Sequence, residues 1–154
     1  MNNFSKFLGV EDNEHITTIR YLQKNHSDKI FFHINNEGRR TPFERYKYSL
    51  FGKIKGLPDI AIMHPKYSEI KKDPNGENYK QLLYLGLFLE IKAPEHNRVV
   101  LKGKDAGKIV KAKGKLSPEQ DEVLKKLTAL KYRAVCCYGS VEAINEIKNY
   151  FGMK

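Results

Sequence analysis

The most restrictive stretch of this 154-residue chain runs from Leu82 to Lys92, LLYLGLFLEIK. Leu85, Leu87, Leu89 and Ile91 alternate along it, the period-two pattern of a strand with one face in a core. Glu90 and Lys92 then share the other face, their Cα atoms about 6.6 Å apart at roughly 3.3 Å per residue. A carboxylate and an ammonium on so apolar a strand are costly to bury unless something uses them. The bland alternative is a solvated Glu-x-Lys on an edge strand. Either way the apolar face needs cover, and the remaining segments must supply it.

Residues 12–25 read as a first helix with Ile16, Ile19 and Leu22 at helical spacing and Asp12 as its cap. Residues 29–34 read as a strand, ending in the polar turn Asn35-Asn36-Glu37-Gly38. Thr41-Pro42-Phe43-Glu44 is a capping box with proline at the first helical position, and the helix it opens is expected to turn Phe43, Tyr46 and Leu50 inward and to end at Gly52. Gly56-Leu57-Pro58 breaks the chain before a short strand, 59–63. After a polar stretch with the turn Asp73-Pro74-Asn75-Gly76, the strand 83–93 should return beside 59–63 as a wide antiparallel hairpin. Residues 94–116 form a long lysine-rich loop. Ser117-Pro118-Glu119-Gln120 is a second capping box, opening a helix with Val123, Leu124, Leu127 and Leu130 on one face. A strand, 133–138, and a helix capped by Ser140, with Val141, Ile144, Ile147 and Phe151 inward, follow. This order predicts a single α/β domain over 1–154, a mixed sheet covered by helices.

Composition narrows the function. Lysine and arginine number 28 against 18 acids, a formal charge of +10 and a pI near 9.5. A polyanionic partner, most commonly nucleic acid, is the default expectation; a generic basic surface is the alternative. Cys136 and Cys137 are adjacent and match neither a disulfide framework nor a zinc site, which favours a reducing, intracellular location. The longest apolar run, 82–89, is far short of the roughly 20 residues of a membrane helix. The first residues lack the apolar core of a signal peptide. The expectation is a soluble, cytoplasmic protein with no membrane partner.

The hairpin brings Asp59 next to Glu90. Two carboxylates that close repel, and a hard divalent cation relieves them; Mg²⁺ takes one or two carboxylates and completes its shell with water and phosphate oxygens. Lys92, on the same face, would stabilise charge at a phosphate, or act as a base if its pKa is depressed. The segment from Arg98 to Lys115 carries Arg98 and six lysines against Asp105. Lys104, Lys108, Lys111, Lys113 and Lys115 are therefore candidate phosphate contacts on a DNA-binding arm, expected to be mobile without DNA.

Gly56-Leu57-Pro58-Asp59-Ile60, about thirty residues ahead of Leu89-Glu90-Ile91-Lys92, resembles the signature of the PD-(D/E)XK nuclease superfamily. Three further pieces resemble its VRR-NUC family. These are the strand-end segment His33-Ile34-Asn35-Asn36-Glu37-Gly38-Arg39-Arg40, the paired Gly52 and Gly56, and Gly114-Lys115-Leu116-Ser117-Pro118-Glu119-Gln120. The likeness runs from about Glu11 to Phe151. Asn35 stands where the family often has proline, and the 93–113 connection is longer than usual.

The resemblance implies a restriction-endonuclease-like core and Mg²⁺- or Mn²⁺-dependent hydrolysis of DNA phosphodiesters. Asp59 and Glu90 would be metal ligands, helped by the Ile91 carbonyl, and Lys92 catalytic, with Glu14 and Gln120 completing the site. Competing readings stay open. Glu14 is also a first-turn acid favoured by the helix dipole. Gln120 is also the partner of Ser117 in the capping box. His33 is as readily a packed histidine as a functional one, and Arg39 and Arg40 are either phosphate contacts or solvated. Small stand-alone members resemble Holliday junction resolvases, which implies a homodimeric endonuclease for branched DNA. A non-catalytic nucleic-acid-binding protein on the same fold is the alternative.

Overall fold

Gly9, not Asp12, begins the first helix in the computed structural model, which describes residues 8–34, 41–52 and 54–153. Arg39 and Arg40, and the 35–38 turn, lie outside the described residues. In helix α1 (Val10–Asn25) Asp12 sits at the third position and accepts a hydrogen bond from the Gly9 amide at 2.8 Å. Thr18 and Leu22, one turn apart, are its buried residues.

Strand β1 (Phe31–His33) follows. Helix α2 (Pro42–Leu50) opens on the expected capping box, with Thr41 Oγ1 accepting from the Glu44 amide and Glu44 accepting from the Thr41 amide. Its expected inward face is not inward. Phe43, Tyr46 and Leu50 are 71%, 62% and 66% exposed, and α2 buries nothing. Other helices already cover the apolar side of the sheet, so a pattern suited to burial finds no vacant surface.

Strand β2 (Ile60–Ile62) lies within the expected 59–63. Short pairs follow: β3 (Lys66–Tyr67) with β6 (Leu82–Tyr84), and between them β4 (Lys71–Lys72) with β5 (Asn78–Tyr79). The expected 83–93 strand is therefore two strands, β6 and β7 (Leu87–Lys92). The break falls at Gly86, where a Cβ would stand 2.9 Å from the Ile62 carbonyl oxygen. Leu85, on the bend before it, is 41% exposed and does not belong to the core stripe.

The lysine-rich segment is also corrected. It is an antiparallel ribbon, β8 (His96–Val99) against β9 (Ile109–Ala112), pairing Arg98 with Val110 and Val99 with Ile109. β-branched residues facing one another across the ribbon supply the pairing that alternation along either strand alone does not reveal. Helix α3 (Pro118–Ala129), strand β10 (Arg133–Tyr138) and helix α4 (Ser140–Phe151) complete the chain. The N-cap of α4 is Gly139 rather than Ser140.

The central sheet has the order β1-β2-β7-β10. β7 pairs antiparallel with β2, Ile60 opposite Leu89, and parallel with β10, Lys92 opposite Tyr138. The α3 segment lies in the crossover that a parallel pair requires. Leu87, Leu89 and Ile91 pack with Ile60, Ile62 and Leu22 and with Ala143, Ile147 and Tyr150 of α4. Each large side chain so buried stabilises the fold by about 1.5–3 kcal/mol. α3 contributes Leu124 to the interior, whereas Leu130 and Val141, expected inward, are exposed. Cys137 is buried and Cys136 half-buried, both free thiols.

Candidate active site

Alternation on β7 puts Glu90 and Lys92 opposite the core stripe, yet both are buried, at 1% and 5% exposure. Neighbouring elements close over them. Lys92 Nζ lies 2.8 Å from Glu90 Oε1 and 3.2 Å from Glu11 Oε1. Glu11, in the first turn of α1, accepts from the Ala93 amide through its other oxygen at 3.2 Å. From the α3 side Gln120 Nε2 donates to Glu90 Oε1 in a short hydrogen bond. The same side chain accepts from the Ser117 amide at 2.9 Å, so Gln120 serves the capping box and the site together.

Asp59, half-buried just ahead of β2, accepts from the Ile91 amide through Oδ2 at 2.8 Å. Its own carbonyl accepts from the Ile34 amide at 2.7 Å. His33 Nδ1 lies 3.0 Å from that carbonyl oxygen, which can only accept, so Nδ1 carries the proton. His15 meets the His33 ring edge-on at 4.6 Å.

Two glycines hold these parts close. Gly56, at φ +77°, packs where a Cβ would be 2.6 Å from the Glu119 carbonyl and 2.7 Å from the Gln120 amide. The turn ahead of Asp59 is thereby seated on the start of α3. Gly114 packs where a Cβ would be 2.8 Å from the Ala93 amide and 2.9 Å from Lys92 Cβ, which roots the ribbon on the end of β7. Only glycine permits either approach.

The electrostatics are those of an acid pair short of positive charge. Burial, reinforced by Asp59, pushes the Glu90 carboxyl up to about 7. Burial also raises Asp59, against the Ile91 hydrogen bond and Lys92. For Lys92 burial pulls downward, but the hydrogen bond and charge of Glu90, with Glu11, outweigh it and raise the pKa. The depressed lysine needed for a base is therefore not what this site holds; Lys92 is an ammonium.

Glu90 Oε2 is buried with no hydrogen-bond partner among the described residues. An orphaned carboxylate oxygen beside a second carboxylate fits a hard divalent cation, which would take Asp59, Glu90 and the Ile91 carbonyl. Among the described residues no group of three or more His, Cys, Asp or Glu is arranged to hold a metal. Most of such an ion's shell would be left to water and substrate oxygens. Asp59 lines two clefts: one of about 370 Å³ with Gly56, Lys92, Ser117 and Gln120, and one of about 480 Å³ with Glu11, His15, Arg20 and His33.

Of the residues expected at the site, Asp59, Glu90, Ile91, Lys92 and Gln120 come together. Glu14 is placed otherwise: its carboxylate accepts from the Ser140 amide at 2.6 Å, at the start of α4. The acid that reaches Lys92 is Glu11, one turn earlier and overlooked in the sequence. Its signal was available, since Glu11 and Glu14 are three apart on one helix face. Lys104, Lys108, Lys111, Lys113 and Lys115 are exposed, on the ribbon or the segment leaving it. Lys108 pairs with Asp105 and Lys111 with Glu95, and Lys113 lies over the Tyr138 ring at 3.7 Å.

No family model matches the sequence, and no curated protein matches it. A solved structure described as a VRR_NUC domain protein does match, over 94% of this chain and 89% of its own, with a TM-score of 0.58 at 19% identity. This chain therefore has the fold of a VRR_NUC domain, the mixed sheet flanked by helices that the motifs led us to expect. Among the described residues no helix is long and apolar enough to cross a membrane.

Proposed function

We propose that this chain, folded as a VRR_NUC domain, is a Mg²⁺- or Mn²⁺-dependent DNA endonuclease acting on branched or otherwise structured DNA such as Holliday junctions. The observation that carries this reading is the pairing of Asp59 with a buried Glu90 whose Oε2 has no hydrogen-bond partner among the described residues. Structural stability does not call for such a pair, because two desolvated acids weaken a core.

A bound divalent ion supplies charge stabilisation of the phosphoryl transition state and lowers the pKa of an attacking water. Asp59 and Glu90 would hold it, with the Ile91 carbonyl turned to the same end of β7. Lys92, kept protonated by Glu90 and Glu11, offsets negative charge growing on the scissile phosphate. Gln120 fixes the Glu90 carboxylate so that one oxygen remains for the ion. Glu14, by holding the start of α4, keeps α1 in register with the sheet and so positions Glu11. Lysines of the β8–β9 ribbon, and Arg39 and Arg40, hold the DNA backbone. A two-fold homodimer suits a four-way substrate, in which two related strands must be cut.

The test is direct. Labelled linear, nicked, flap and four-way DNAs are incubated with the protein and Mg²⁺ or Mn²⁺, beside Asp59→Ala. Metal-dependent cutting of a branched substrate, absent in the variant, is expected. Binding without cutting under every metal condition would leave a DNA-binding protein and reject the nuclease.

A further inference from the structure

We propose that the β8–β9 ribbon probes DNA structure: its basic side chains hold phosphates while Leu101, at its tip, inserts as an apolar wedge where base stacking is interrupted. This rests on the nuclease reading for its substrate and specifies how the same site would be directed to branched DNA.

Leu101 is 83% exposed, the most exposed large apolar side chain among the described residues. Val99 and Ile109, paired across the ribbon just below it, are 48% and 69% exposed. Neither belongs to the buried core, so beyond pairing with each other across the ribbon their apolar surface is left to solvent. Their surroundings are basic, with Lys102, Lys104 and Lys108 exposed around the same tip. A greasy end in a cationic setting suits a polyanion with an apolar interior, which is what stacked bases between phosphates present.

The tip is also built to hold its shape. Val100 and Lys108 close the ribbon by Val100 N–H to Lys108 O at 2.9 Å, and the Gly107 amide returns to Val100 O at 2.8 Å. The Ala106 amide donates to Gly103 O, and Gly103 and Gly107 both take φ +87°, so the turn needs its glycines. Leu101 is thus carried on a defined two-stranded end. A two-stranded ribbon fits the major groove, and apolar wedges in DNA-bending proteins part base steps at a cost. That cost is least where stacking is already broken, at a branch, flap or nick.

Geometry ties the probe to the acids. The Gly114 amide donates to Ala93 O at 2.9 Å, so both strands leave from the end of β7, beside Lys92. Leu101 lies eight residues beyond Ala93, at most about 28 Å of extended chain, or about eight base steps at 3.4 Å each. Cuts should therefore fall within about eight nucleotides of the branch.

The experiment uses the full chain with EDTA, so that nothing is cut, and a four-way junction or a duplex carrying 2-aminopurine at the branch or its equivalent. With the wild type, fluorescence should rise on the junction and not on the duplex. Leu101→Ser should lose that rise and at least fivefold of the preference for junction over duplex, keeping the salt dependence that the lysines set. Leu101→Phe should keep both rise and preference. The wedge is overturned if Leu101→Ser behaves as wild type, or if the wild type binds junctions without unstacking. It is equally overturned if Leu101→Ser changes only the sedimenting mass, which would make the tip a contact between copies. Cleavage is scored separately with Mg²⁺: unstacking without cleavage rejects the nuclease alone, and cleavage without unstacking rejects the wedge alone.

Discussion

Asp59 Oδ2 accepts the amide of Ile91 at 2.8 Å, so the loop ahead of β2 is clasped to the residue between Glu90 and Lys92. The bond sets the two carboxylates side by side at the end of β7. Asp59→Ala and Glu90→Ala should each slow cleavage by about 10³-fold or more, since metal stabilisation of the transition state is worth several kcal/mol. Gel-shift affinity should change little, because the lysines are untouched. Wild-type rates in either variant would remove the acids from the chemistry.

Lys92 answers to two acids and stays charged. Lys92→Gln should fold yet cut far more slowly, even with saturating metal and DNA. Removing the ammonium also leaves Glu90 without its main counterweight, so the pH at which cleavage reaches half its plateau should move upward. With metal below saturation, where the ion must displace the Glu90 proton to bind, cleavage by the wild type should rise as pH passes about 7, and this rise should move to lower pH as metal is added. A rising alkaline limb that vanishes in Lys92→Gln would show a lysine that must lose its proton to act as a base, against this account.

Glu90 also predicts how the metal-free protein responds to pH. Its folded pKa, about 7, lies above the ordinary value of 4.5. The folded state therefore keeps a proton that the unfolded chain has released, and stability falls as pH rises from about 4.5 to about 7. Asp59 is shifted the same way and adds to the trend. The loss is up to about 3 kcal/mol, since one pKa unit is worth about 1.4 kcal/mol. Denaturant midpoints across pH 5–8 should show this fall, a flatter profile for Glu90→Gln, and recovery at pH 8 on adding Mn²⁺. A flat wild-type profile would contradict the strained pair.

Glu11 and Glu14 separate by what each holds. Glu14→Gln weakens the contact with the Ser140 amide at the α4 terminus and should lower stability by about 0.5–1 kcal/mol. Its effect on cleavage should be small at temperatures where the variant is folded. Glu11→Gln takes one partner from Lys92 and should reduce cleavage with little change in melting temperature. Should Glu14→Gln abolish cleavage with an unaltered melt, the carboxylate would have a part in the reaction beyond positioning.

Much of this was legible because it is local or nearly so. The capping boxes at Thr41 and Ser117 involve residues three apart. The faces of Leu87 to Lys92 follow from the pleat, and Asp59 meets Glu90 through one antiparallel pairing. Those features depend on backbone geometry that neighbouring residues impose by themselves. Where packing between distant segments decides, the sequence misled. The pattern of Phe43, Tyr46 and Leu50 suits burial, but α1 and α4 occupy the sheet face, so α2 stays outside. The continuous apolar run is split at Leu85 and Gly86, where the Ile62 carbonyl comes within 2.9 Å of the Cβ that Gly86 lacks, a contact made by a distant segment. The ribbon of β8 and β9 exists through cross-strand contacts that neither strand reveals alone. Glu11 and Glu14 share one face of one helix. Which of them reaches Lys92 depends on how Thr18 and Leu22 dock α1, and Glu14 finds its partner 126 residues away at Ser140.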